Sequence, residues 1–271
     1  MRPHRAIACA VLVCVVAAGC SRLTFIKPKL ERGEYTRVAP EYNVREDPQD
    51  QKRIAAMERV ALAEQRLRSG QLDQAEAEAE AALKADPASA DAHTLLAVVA
   101  ERRGDAARAG GHYARAVELA PTRGAVLSNY GAWLCGNGRV AESLPLFDRA
   151  LADPGYRTPA VALANAGSCA LTAGQTARAE RDLRRGLQYD PANPTALAAL
   201  AALEYRAGDY LQARAFSERR LAAAPATPDV LRLASQIEQK LGDTAAAARY
   251  VQRIRTEFPQ TPGPSGELGQ R

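Results

Sequence analysis

The sequence predicts an all-α fold, a right-handed superhelix of about six helix-turn-helix units, and three observations predict it. Glycine returns at Gly70, Gly104, Gly138, Gly174, Gly208 and Gly242, in steps of 34, 34, 36, 34 and 34 residues. Proline keeps the same period at Pro87, Pro121, Pro191, Pro225 and Pro259. Its steps of 34, 34, 70 and 34 give 34 again once the long gap is read as two units plus two residues. Between these markers the chain is alanine-rich, poor in aromatics (5%) and continuously helical in character from Gln51. A two-helix unit cannot bury its apolar face alone, so such units stack on their neighbours.

The elements follow in order. Arg2, His4 and Arg5 precede an apolar run from Ala6 to Ala18 that is short for a bilayer span and has the flanks of an export signal. It ends in Ala17-Ala18-Gly19-Cys20, which resembles the lipobox of bacterial lipoproteins, although Ala17 stands where leucine is commonest. Residues 1–19 are therefore expected to be cleaved and Cys20 to carry lipid. Ser21, where an aspartate would by the same resemblance retain the protein at the inner membrane, favours the outer membrane. Residues 20–50, with Pro28, Gly33, Pro40 and Pro48 among charges, read as a tether.

Residues 51–259 hold six units, beginning near Ala56, Ala90, Gly124, Ala160, Pro194 and Pro228. Each ladder glycine is expected to close the first helix in a left-handed backbone, and each ladder proline to lie just past the second. In the second unit Leu96, Ala97, Gly104, Tyr113, Ala116 and Pro121 occupy the large, small and turn places of the tetratricopeptide pattern. Asp153-Pro154-Gly155-Tyr156-Arg157-Thr158-Pro159 replaces the usual turn at the third junction and adds two residues, which should perturb the superhelix there. Residues 260–271, with Pro262, Gly263, Pro264, Gly266 and Gly269, read as a disordered tail.

Composition excludes some functions. Loss of residues 1–19 removes Arg2 and Arg5 and no acidic residue, so the net charge falls from +5 to +3. Basic and acidic residues are interleaved, without the one-sided stripe that nucleic acid requires. Neither a nucleic acid nor a small-molecule substrate is expected. His93 and His112 lie nineteen residues apart with no further ligand at metal spacing and read as helix-surface residues. Ser143 is not in a nucleophile elbow, and Glu76, Glu78 and Glu80 read as a solvated face. No enzyme, metal or cofactor is expected.

Binding is better supported. First helices line the inner wall of such arrays, and Asn129 and Asn165 share position 6 of units three and four, where an amide can hold a peptide backbone or bond a neighbouring helix. Ala132 and Ser168 share position 9, and Trp133 follows as contact or as packing. The clamp that grips chaperone C-termini matches at Asn129 only. Thr94, Val98, Val161 and Asn165 stand where that clamp has its other amide and its cations, so an apolar or main-chain-rich segment is expected. Once the signal and Cys20 are set aside, Cys135 and Cys169 remain. They are either a disulfide or two buried thiols, which a Cα separation above about 7 Å would decide.

Leu127-Ser-Asn-Tyr-Gly-Ala-Trp-Leu-Cys135 and Asn165-Ala-Gly-Ser-Cys-Ala-Leu171 closely resemble segments of the PilF/PilW family of type IV pilus biogenesis lipoproteins. The resemblance spans nearly the whole mature chain. It implies a pilotin: an outer-membrane, lipid-anchored scaffold that binds the pilus secretin and promotes its localisation and multimerisation, with twitching motility depending on it. It also implies a Cys135–Cys169 bridge. Another envelope scaffold, of an outer-membrane protein insertion or cell-wall synthesis complex, is the alternative.

Overall fold

All six ladder glycines lie in the left-handed region, at φ between +72° and +83°, where a residue without Cβ meets no steric penalty. They split the chain into helix pairs. The structure, a computed structural model, describes residues 47–259. The pairs are α1 (Pro48–Arg68) with α2 (Leu72–Ala85), α3 (Ala90–Arg102) with α4 (Ala106–Leu119), and α5 (Gly124–Gly136) with α6 (Val140–Ala152). They continue as α7 (Pro159–Thr172) with α8 (Thr176–Tyr189), α9 (Pro194–Ala207) with α10 (Tyr210–Ala223), and α11 (Pro228–Leu241) with α12 (Thr244–Glu257). No strand occurs among the described residues. The architecture is a superhelix of tetratricopeptide repeats.

Local chemistry sets the helix starts. The residue after the ladder glycine is Asp105, Asp209 or Asp243 in repeats two, five and six, and each carboxylate accepts from the backbone N–H three residues on. Such a cap contributes about 1 kcal/mol. Gln71, Arg139 and Gln175 fill that place in the other repeats and make no such bond. Helix α1 starts at Pro48, ahead of the expected Gln51. Asp47 accepts from the Gln49 N–H at 2.9 Å, and Pro48 stands at the first helical position, where its missing N–H costs no hydrogen bond. The proline read as part of a tether is thus a helix start.

Packing follows the small-and-large scheme. Leu96, Ala97, Tyr113 and Ala116 are all buried. Phe147 is fully buried against Gly131, where an added Cβ would lie 3.2 Å from its ring. Burying such a side chain stabilises by about 2–3 kcal/mol. First helices pack closely on the first helices of adjacent repeats, whereas successive second helices meet only through long side chains, as in the Glu76–Arg108 and Asp148–Arg178 ion pairs. The first helices therefore form the inner wall.

A third ladder emerges here. Arg115, Arg149, Arg185, Arg219 and Arg253 each stand eleven residues after their glycine. Arg149 and Arg219 donate to the carbonyls of Pro121 and Pro191, in the turn one repeat earlier.

The third junction stays packed. Asp153 accepts from the Gly155 N–H at 2.8 Å within the loop and from the Gly124 N–H at 2.7 Å, at the start of α5. An added Cβ on Gly124 would meet Tyr156 at 2.7 Å, so the inserted loop folds back onto that helix. Helix α6 still packs on α7.

Candidate partner-binding groove

The inner wall loses its charge in the middle of the array. Helices α5 and α7 contain no charged residue, and α9 contains only Glu204 and Arg206, whereas the outer α8 carries four arginines, one glutamate and one aspartate. Glu204 is buried and held by Arg184 at 2.9 Å; burial pushes its carboxyl above the ordinary value, against the pull of that guanidinium. A depression of about 450 Å³ opens over repeats four to six, lined by Ser168, Pro194, Thr195, Ala198, Ala199 and Val230. Arg220 also borders it, but this buried guanidinium is spent on the carbonyls of Ala224 and Pro225.

Asn129 is exposed and Asn165 half-buried. Neither side chain makes a hydrogen bond within the described residues, so both amides keep their donors and acceptors free. Ala132 and Ser168 are half-buried, and the Ser168 Oγ is enclosed without a partner. Val161 stands 46% exposed. Thr94 donates to the Ala90 carbonyl at 2.8 Å, and Val98 packs on the core. The wall thus offers amides and small apolar groups where a carboxylate-binding clamp would need cations.

Three expectations are corrected. Trp133 is not a groove contact: it is 8% exposed, stacks on Tyr130 and leans on Tyr113. Its indole fills the space left by Gly110, where an added Cβ would lie 2.5 Å from the ring. Glu76 and Glu78 are not a solvated face. Glu78 pairs with Arg59 at 2.7 Å, and Glu76 joins Arg103 and Arg108, whose hydrogen bonds hold its carboxyl below the ordinary value despite the opposing effect of burial. His93 and His112 are not isolated on a surface. Their helices pack, and the two Nδ1 atoms lie 3.1 Å apart between half-buried rings. Burial foremost lowers both imidazoles, with added repulsion from His112 and Arg115 on His93 and from Arg108 on His112. Sequence spacing hid this, because the antiparallel turn joins positions nineteen apart.

Cys135 on α5 and Cys169 on α7 are joined by a disulfide with a Cα separation of 5.8 Å. The Ser143 hydroxyl lies 3.3 Å from the Cys169 sulfur. The bridge fixes the two first helices that carry Asn129 and Asn165. Cys20, residues 1–19, the tether up to residue 46 and the tail 260–271 lie outside the described residues. Among those described, no helix is long and apolar enough to cross a membrane.

Two tetratricopeptide-repeat family models match the chain, over residues 60–123 and 170–237. A curated relative, the type IV pilus assembly protein PilF of Pseudomonas aeruginosa, is 29% identical over 140 residues, which are 52% of this chain and 56% of that protein's own length. The crystal structure of PilW, a type IV pilus biogenesis factor, superposes with a TM-score of 0.70 at 32% identity, covering 77% of this chain and 96% of that one. A structure of Pseudomonas aeruginosa PilF superposes with a TM-score of 0.70 at 26% identity, covering 79% and 96%.

Proposed function

Because the chain belongs to the PilF/PilW family of type IV pilus biogenesis proteins built from tetratricopeptide repeats, we propose that it is a pilotin. In this reading the lipid on Cys20 holds it at the periplasmic face of the outer membrane. The inner wall of repeats three to five binds a secretin subunit and brings it there to multimerise. The observation that supports the groove is the pair of unengaged amides at Asn129 and Asn165 on an uncharged wall. An extended segment can satisfy them with its own N–H and C=O groups, as main-chain recognition does elsewhere.

Affinity in this reading comes from many modest contacts on a wall that the disulfide has already ordered, which lowers the entropy lost on binding. The lipid raises the effective concentration of both partners at one surface. The role is that of a scaffold, and no reacting group is needed.

Copurification of the secretin from detergent-solubilised envelopes tests the groove. Asn129→Ala with Asn165→Ala should reduce recovery several-fold while the fold is retained, and unchanged recovery would refute the assignment. Deletion should abolish twitching motility and leave the secretin unassembled. A normal secretin with defective outer-membrane protein insertion would instead place the chain in another envelope complex. Replacement of Cys20 by serine should shift the protein to the soluble periplasmic fraction.

A further inference from the structure

The seam between the two helices of each repeat contains one recurrent slot, formed by the residue eleven before the ladder glycine and the residue eight after it. In repeat three these are Leu127 and Leu146, members of one apolar cluster, and in repeat five they are Leu197 and Phe216, members of another. Repeat one fills the slot with the Arg59–Glu78 ion pair. Repeat two fills it with His93 and His112, whose Nδ1 atoms lie 3.1 Å apart. Leucine would pack this seam, and a complementary ion pair would satisfy it. Two like bases do neither as well. They can share only one proton between facing nitrogens, and among the described residues neither ring has another hydrogen-bond partner.

We propose that His93 and His112 form a two-imidazole binding site for a first-row transition metal ion of the nitrogen-preferring kind, Cu²⁺, Ni²⁺ or Zn²⁺. The separation of the nitrogens suits such an ion. With metal–nitrogen bonds of about 2.0–2.1 Å, nitrogens at the observed separation subtend about 100° at the metal. That angle falls between square-planar and tetrahedral, both of which these ions accept. Each lone pair has to swing about 40° off the line between the nitrogens to meet a shared ion, a rotation open to rings that are only half-buried. Each imidazole comes from a different helix of one repeat, so the chelate would clasp α3 to α4.

The rest of the coordination sphere would be water. No group of three or more histidine, cysteine, aspartate or glutamate side chains suited to a metal occurs among the described residues. The nearby carboxylates are engaged: Glu76 by Arg103 and Arg108, and Glu80 at 3.7 Å from Arg108. Arg108 and Arg115 oppose a cation, while Glu76 and Glu80 favour it. Both rings are half-buried, which leaves an approach for a hydrated ion. Hard cations such as Mg²⁺ and Ca²⁺, which want oxygen ligands, should not bind.

The test uses the full chain without a purification tag, titrated with Cu²⁺, Ni²⁺ or Zn²⁺ alone and followed by calorimetry. Expected is one equivalent of Cu²⁺ bound through two nitrogens in its paramagnetic resonance spectrum, with a rise in melting temperature. His93→Leu and His112→Leu should each weaken binding by about tenfold or more, at least the loss that follows removal of a ligand's supporting partner. The double variant reproduces the slot of repeat three, so it should fold with an unchanged circular dichroism spectrum and lose the bound equivalent. All forms are identical outside positions 93 and 112, so the difference isolates the pair. Equal binding by the double variant, or none by the wild type at millimolar metal, would overturn the assignment.

Discussion

Gly167 and Gly186 lie within α7 and α8, the two helices of repeat four, and the structure gives alanine opposite effects at the two sites. Both substitutions gain the same helix propensity, about 0.8–1.0 kcal/mol for glycine to alanine in a helix interior. At Gly186 the added Cβ would lie 3.4 Å from the Leu163 Cβ and 3.5 Å from the Ala160 carbonyl, which is ordinary contact. Gly186→Ala should therefore stabilise by about 1 kcal/mol. At Gly167 the Cβ would lie 2.5 Å from the Leu183 Cγ and 3.1 Å from the Ala179 carbonyl. A branch-point carbon and a backbone oxygen cannot step aside, and overpacking of this kind costs about 1–3 kcal/mol. After the propensity gain, Gly167→Ala should destabilise by up to about 2 kcal/mol. Urea unfolding of the oxidised chain, followed by far-ultraviolet circular dichroism, reads both as midpoint shifts at constant slope. Shifts of the same sign would refute the argument, because they would mean that α7 and α8 are not held at the spacing described.

Two further outcomes concern the middle of the array. The disulfide joins residues 34 apart, and in the chain-entropy model a loop of that length is worth about 4 kcal/mol. Reduction should lower the urea midpoint accordingly, and a midpoint indifferent to reductant would contradict the pairing. Asp153 has its carboxyl held below the ordinary aspartate value by the N–H groups of Gly124 and Gly155. Because the folded value is the lower one, its contribution is complete above the unfolded value of about 3.9 and is lost as pH falls through the folded one. Asp153→Asn should flatten the acid limb of a stability-versus-pH curve, and an identical limb would show that the carboxylate does not hold the loop.

The regular part of this fold is readable because its punctuation is local. A glycine that must take positive φ and a proline that cannot continue a helix announce themselves at every repeat, so the helix pairs follow from one period. The same period carried the arginine ladder, which went unread because the partners of Arg149 and Arg219 are turn carbonyls of the preceding repeat, invisible in composition. Asn129 and Asn165 were legible as wall positions from their shared register, but their freedom from internal hydrogen bonds is a tertiary fact. Trp133 stayed open between contact and packing because its ring turns inward only through the missing side chain of Gly110, on a different helix. The histidine pair was missed for a related reason. Nineteen residues is a ligand spacing in no short motif, yet it is the distance around this turn between facing positions of one repeat.

The contact pattern along the array decides how it can deform. First helices rest on one another while second helices are joined only by side-chain pairs such as Glu76–Arg108 and Asp148–Arg178, so the inner wall resists stretching more than the outer one. Curvature is then the soft coordinate: the stack can bend by fanning its outer helices without separating inner ones. The guanidinium reaches of Arg149 and Arg219 to the preceding turns act as elastic ties on that fanning. The covalent link between α5 and α7 stiffens one joint, which directs bending to the joints on either side of it.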